Sequence, residues 1–304
     1  MRFIVSMIFF VLAMTGNALA GGLKVTKAID GVYAIVGPKG QRSPKNLANN
    51  ATFGLVVTSE GTVLIDPGGS YKGAAALDAL IKTVTTQPVK IVINTGGQDH
   101  RWIGNSYWRE KGAKIIASET AVADHKDRGS LQMTMLDNLI KGQLDGTNPV
   151  YADKTFAETH EFNLGGVVFE IHHKGQAHTP GDSFVWLPQS KVMFTGDIVY
   201  VERLLGVGPM SNAGSWIKVF EAMAAYRPRY LVPGHGDVTD VKRATAETYD
   251  YLVHLRKQMA AHIENGGDMI GSVKVDQSAF SSLKNFSELA KRNAQQVFAE
   301  MEFE

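Results

Sequence analysis

The sequence predicts one layered α/β domain. Segments with helical apolar spacing alternate with short runs of strand length, and no linker, repeat or low-complexity tract divides them. Four of the strand-like runs end in loops that set glycine beside histidine or aspartate. Loops of that kind at one edge of a sheet converge in space. A chain of 304 residues, 44% of them hydrophobic, has enough apolar material for a sizeable core.

The first twenty residues differ from the rest. Arg2 is followed by an apolar run, Phe3 to Met14, broken only by Ser6, and then by Ala18-Leu19-Ala20 ahead of Gly21. This is the pattern of a secretory signal peptide cleaved after Ala20, too short to span a bilayer comfortably. Residues 21–304 are expected to form the domain, with a helical extension from about 240 to 304. The mature protein is expected to be periplasmic or secreted and free of the membrane. Lysine plus arginine is 31 and aspartate plus glutamate is 30. That balance argues against a nucleic-acid partner.

The elements follow in order. Leu23 to Ala28 and Val32 to Val36 read as strands, and Gly37 to Asn50 as a polar loop. Thr52 to Thr58 and Thr62 to Ile65 form a β-hairpin through Ser59-Glu60-Gly61, ending in Asp66-Pro67-Gly68-Gly69. Ala74 to Val84 has Leu77, Leu80, Ile81 and Val84 on one helical face. Val89 to Ile93 reads as a buried strand. A short strand at Ile115-Ile116 precedes helical stretches around Ala121 to Lys126 and Leu131 to Leu144. Val167 to Ile171, Ser183 to Leu187, Lys191 to Phe194 and Tyr230 to Val232 are further strands. Trp216, Ile217, Phe220 and Met223 mark a helix between the last two. Leu252, Leu255 and Met259 mark another, and Phe286, Leu289 and Val297 a terminal one after the break at Gly266-Gly267.

The four loops are Gly96-Gly97-Gln98-Asp99-His100, Gly175-Gln176-Ala177-His178, Gly196-Asp197 and Gly234-His235. The chain has no cysteine and nine histidines. Disulfides and thiolate chemistry are therefore excluded. Histidine with carboxylate and no thiolate suits zinc, iron or manganese.

The runs His178-Thr179-Pro180-Gly181-Asp182, Phe194-Thr195-Gly196-Asp197 and Val232-Pro233-Gly234-His235-Gly236 resemble the metallo-β-lactamase superfamily. So does Leu64-Ile65-Asp66-Pro67-Gly68 after its hairpin. The resemblance runs from about Val32 to about Val238 and implies a four-layer αββα sandwich with a metal site at the edge of two sheets. It implies that His178 stands at a first-metal position, Asp197 at a bridging one and His235 at a second-metal one. It also implies that Asp66 orients a ligand. Asp182 reads as a loop-holding carboxylate.

The first loop departs from the family's Thr-His-x-His-x-Asp-His pattern, reading Thr95-Gly96-Gly97-Gln98-Asp99-His100-Arg101. Without gaps, the two leading histidines become Gly96 and Gln98, the aspartate becomes His100 and the last histidine Arg101. With a shifted gap, Asp99-His100 keeps the Asp-His pair. Either way Asp99 or His100, with His178, Asp197 and His235, is the expected ligand pool, and one zinc is expected rather than two. Asp99 and His100 are the expected catalytic residues. Gln98 is expected to act as a hydrogen-bonding group, and Arg101 to recognise an anion or to pack in place of a missing ligand. A catalytic zinc needs about three protein ligands and an open water position, where a hydroxide forms near neutral pH. The expectation is a periplasmic hydrolase of a small ester, thioester, amide or related molecule. The rival is a non-catalytic accessory or ligand-binding protein of the same fold. The export signal and the altered loop look most similar to a periplasmic branch linked to sulfur oxidation and quinoprotein systems.

Overall fold

A computed structural model describes residues 21–304; the expected leader lies outside the described residues. Two sheets pack face to face with helices on both outer faces, the αββα sandwich. The first sheet runs in chain order through β1 (Lys24–Ile29), β2 (Val32–Val36), β3 (Thr52–Thr58), β4 (Gly61–Ile65), β5 (Val89–Asn94), β6 (Lys114–Ser118) and β7 (Lys154–Phe156). Pairing is antiparallel up to β4 and parallel beyond it. The second sheet comprises β8 (Thr159–Leu164), β9 (Val167–His173), β10 (Ser183–Leu187), β11 (Val192–Phe194) and β12 (Tyr230–Val232), running from β12 at one edge to β8 at the other.

Period-two alternation builds the layers. Val32, Ala34 and Val36 of β2 face the second sheet, where Phe169, Ile171, Val185, Leu187 and Phe194 meet them. Phe184 and Trp186 of β10 point the other way, against the outer helices. On the first sheet, α1 (Tyr71–Ile81) and α2 (Asn105–Glu110) bury Leu77, Leu80, Ile81 and Trp108 over Leu55, Leu64 and Val92. Ser70 caps α1 by accepting from the Gly73 amide, so the helix starts three residues before the apolar spacing implies.

The second sheet is covered by α4 (Ala213–Ala224) and by helices after residue 240. These are α5 (Val241–Ala244), which leads through a π-helical turn into α6 (Asp250–Glu264), then α7 (Met269–Ser272) and α8 (Phe286–Met301). Among the described residues no helix is long and apolar enough to cross a membrane.

Two expectations change. The two helical stretches after β6 are one helix, α3 (Glu119–Ile140), capped by Ser118 accepting from the Ala121 amide. Gly129 lies within it, where Trp102 packs in the space a side chain would fill. Strands β7 and β8 carry no apolar run: β8 alternates exposed and half-buried positions at the edge of its sheet.

Candidate functional site

The strand ends deliver their loops to one edge of the sandwich. Asp66 follows β4 with a left-handed backbone, φ +67°, a conformation aspartate tolerates better than most residues. Its carboxylate accepts from the Thr95 amide at 2.8 Å and from Arg101 Nη1 at 2.7 Å. Arg101 is fully buried. Its other N–H groups reach Asp197 Oδ2 (3.1 Å, from Nε), Asp197 Oδ1 (2.7 Å), Gly234 O (2.9 Å) and Thr52 O (3.1 Å). All five guanidinium donors are therefore satisfied. Arg101 is a structural cation that ties the loops after β4, β5, β11 and β12 into one floor. It packs beneath the site instead of facing an anionic substrate.

Above that floor stand three groups. His100 Nε2 lies 3.3 Å from Asp197 Oδ2, and His235 Nε2 lies 3.2 Å from Asp197 Oδ1. One ligand atom from each of His100, Asp197 and His235 lies within 4.8 Å of the others, and all three residues are buried. The side chains follow the ungapped reading of the first loop: His100 faces Asp197 and His235, and Asp99 turns away. Arg42, from the polar loop after β2, grips Asp99 through Nε at 2.9 Å and Nη2 at 2.5 Å. Burial pushes the Asp99 carboxyl up, but Arg42 and His100 more than offset it and hold it below the usual range.

His178 and Gln98 form the facing wall. His178 Nδ1 lies 2.9 Å from Gly206 O, and its Nε2 lies 3.3 Å from Gln98 Oε1. The backbone carbonyl of Gly206 cannot turn and only accepts, so Nδ1 carries the proton; Nε2 then holds the lone pair, which Gln98 meets with its amide N–H group turned toward the ring. Burial pushes the His178 imidazole down to about 4. Asp182 holds this loop, accepting from the Thr179 amide at 2.7 Å and from Thr179 Oγ1 at 2.5 Å. Burial, reinforced by Asp197, pushes its carboxyl up to about 8. Asp182 also accounts for one missing histidine: a side chain on Gly96 would collide with its Oδ1, and one on Gly97 with Asp124 Oδ2.

The first loop is clamped from behind by α3. His125 Nε2 donates to Gly96 O (3.0 Å) and Gln132 Nε2 to Gly97 O (2.7 Å), while Trp102 stacks on His125 with centroids 4.5 Å apart.

The donor set fits one divalent cation. Two imidazole nitrogens and a carboxylate oxygen suit zinc. Asp197 offers about four lone-pair directions, of which Arg101 takes two. His100 Nδ1 lies 3.0 Å from Arg42 Nη2 and 3.2 Å from Asp99 Oδ1, so the Arg42–Asp99 pair sets the orientation of the ring. Asp66 and Asp197 share the cation Arg101, and a second cation, Arg203, stands beside His235 with Nη1 3.4 Å from its Nδ1, so the formal charges around the cluster balance. Burial, then the positive charge of Arg203, holds the His235 imidazole well below its usual value and so unprotonated. The His178–Gln98 wall supplies two neutral groups, fewer than the three ligands a catalytic zinc takes.

Arg42 carried no sequence signal: it sits in a polar loop 57 residues before its partner Asp99. Tyr200, which stacks on His235 with centroids 4.5 Å apart, and Arg203, whose Nη1 lies 3.4 Å from His235 Nδ1, both come from the segment after the Asp197 loop.

The family model of the metallo-beta-lactamase superfamily matches residues 48–235. The chain is 24% identical over 253 residues to a metallo-beta-lactamase type 2 from Bacteroides fragilis, covering 77% of this chain and 88% of that one. It is 28% identical over 204 residues to a metallo-beta-lactamase type 2 from Bacillus sp. (strain 170), covering 66% and 72%. Among solved structures, a metallo-beta-lactamase from Pontibacter korlensis matches with a TM-score of 0.62 at 24% identity, over 76% of this chain and 99% of that one.

Proposed function

The chain belongs to the metallo-beta-lactamase superfamily, and from that premise we propose an exported hydrolase that uses one zinc ion on a small ester, thioester or amide. The observation that carries this reading is the convergence of His100, Asp197 and His235 on one buried point. Those three residues would hold the ion. When bound, zinc supplies Lewis-acid polarisation of a carbonyl and a water activated near neutral pH.

The protein's own groups do the remaining work. Arg101 fixes both oxygens of Asp197 in one orientation, so the carboxylate is pre-set. The Arg42–Asp99 pair lies against His100 Nδ1, Arg42 Nη2 at 3.0 Å and Asp99 Oδ1 at 3.2 Å, and leaves Nε2 turned toward Asp197. Opposite them, His178 Nε2 offers an acceptor to an N–H or O–H of the substrate. The apolar run of residues 3–14 and Ala18-Leu19-Ala20 support export to a periplasm or beyond.

The test is the metal content of protein purified without chelator, measured by elemental analysis. About one zinc per chain is expected, and His235→Ala should reduce it to background. If the wild-type chain stays metal-free even after reconstitution, the hydrolase reading fails and the accessory-protein reading replaces it.

A further inference from the structure

The partner that sets the His178 tautomer belongs to a strap, residues 202–208, that crosses behind the site. Gly206 O accepts from His178 Nδ1. The strap is not held by the sandwich alone. Asn293, at the centre of α8 and fully buried, grips the residues on either side of Gly206. Its Oδ1 accepts from the Val207 amide at 2.8 Å, and its Nδ2 donates to Leu205 O at 2.8 Å. That bidentate clamp fixes the peptide planes around Gly206 and hence the direction of its carbonyl.

Asn293 is itself locked. Its Nδ2 also reaches Tyr251 Oη of α6 at 2.9 Å. The Tyr251 hydroxyl donates to Gln277 Oε1 at 2.8 Å, and Gln277 Nε2 donates to Ala290 O at 3.0 Å. Tyr251 is fully buried and Gln277 nearly so, so each bond is shielded from water and breaking one leaves an unsatisfied group. Nearer the start of the strap, Leu204 N donates to Lys284 O at 2.8 Å. All of these contacts come from residues after 235, where the family match ends.

We propose that Asn293 is a positioning residue: through the Leu205-Gly206-Val207 peptide it fixes the ring orientation and the Nδ1–H tautomer of His178. The C-terminal helices then do more than cover the second sheet. They supply the far end of a hydrogen-bond chain from α6 and α8 to an imidazole facing the candidate metal centre. The meaning of this for turnover rests on the proposed hydrolase; the tautomer itself does not.

The test reads the ring directly. Full-length mature protein carrying 15N-labelled histidine gives the protonation of each His178 nitrogen by NMR, with and without one equivalent of zinc. In the wild type Nδ1 is expected to carry the proton. Asn293→Ala should weaken that preference about tenfold, the worth of one hydrogen bond, and broaden the His178 signals. Glu300→Gln is the control. Glu300 binds the Ala213 and Gly214 amides and Arg256, so its loss loosens α8 without touching the strap. It should lower the melting temperature and leave His178 unchanged.

If Asn293→Ala leaves the His178 signals as they are, or Glu300→Gln moves them equally, the proposal is overturned. Should Asn293→Ala fail to fold, Asn293→Asp takes its place: it keeps the acceptor for Val207 N and loses the donor to Leu205 O, and an unmoved His178 there overturns the proposal too. Failure of the hydrolase reading would show as absent zinc, a separate measurement.

Discussion

The two walls of the site are built by different means. His100, Asp197 and His235 stand on an ionic floor, where Arg101 joins two buried carboxylates and Arg42 neutralises a third. His178 and Gln98 stand on neutral hydrogen bonds, from the strap on one side and from α3 behind the first loop on the other. The charged wall has two imidazole nitrogens and a carboxylate, the donors that hold a cation. The neutral wall has an imidazole lone pair and an amide, with Asp182 in the space where a side chain on Gly96 would have to lie. Within one fold, the charged wall is organised for an ion and the neutral one for hydrogen-bonding a ligand.

The sharpest way to break this contrast is to remove the charge at the centre of the ionic wall. Asp197→Ala deletes a candidate ligand and leaves Arg101 buried with only Asp66 as a counter-ion. Breaking a buried pair by removing one partner costs about 3–5 kcal/mol. Urea unfolding should show a loss of that size, and elemental analysis should show no zinc. Asp197→Asn keeps the shape and removes only the charge, so it should lose the metal with a smaller loss of stability. Retention of zinc by either variant would move the ion away from this wall.

The neutral wall answers to pH. His125 braces the first loop, and burial pushes its imidazole down to about 4. The unfolded chain protonates it near 6.5, so the unfolded state binds more protons between pH 6.5 and 4. Stability is full above about 6.5 and falls as the pH drops through that window, by about 3 kcal/mol for this one group. His125→Phe keeps the stacking surface under Trp102 and removes the titration. Its stability should be lower at pH 7, for want of the bond to Gly96 O, and should fall less steeply toward pH 4 than that of the wild type. Parallel slopes for the two proteins would show that His125 is not held neutral by burial.

Much of the architecture was legible because it is written in local spacing. The hairpin into Asp66-Pro67-Gly68, the apolar faces of α1, α4 and α6, and the strand ends carrying Asp197 and His235 each show a period or a turn. What was hidden depends on contacts between distant segments. Spacing alone cannot choose between Asp99 and His100, because both lie in the one 3-10 turn; Arg42 decides it by drawing Asp99 aside. Arg101 read equally well as a substrate clamp until its five partners were in view. Asn293 lies on a helix whose apolar positions announce only a core, and its role exists only because residues 205–207 pass beside it.

Gln98 gives the smallest expected effect and the finest cut between the walls. It is partly exposed, its contacts to His178 and Asp99 are long at 3.3 and 3.4 Å, and it touches none of the three clustered groups. Gln98→Ala should therefore keep about one zinc per chain and change stability by less than about 0.5 kcal/mol. If its amide steadies a substrate beside His178, the variant should raise KM by up to about tenfold, one hydrogen bond's worth, with kcat nearly unchanged. A uniform-binding loss of that kind appears in KM alone. Loss of zinc in Gln98→Ala would instead make the amide a ligand, and the neutral wall would then have to be counted as part of the metal centre.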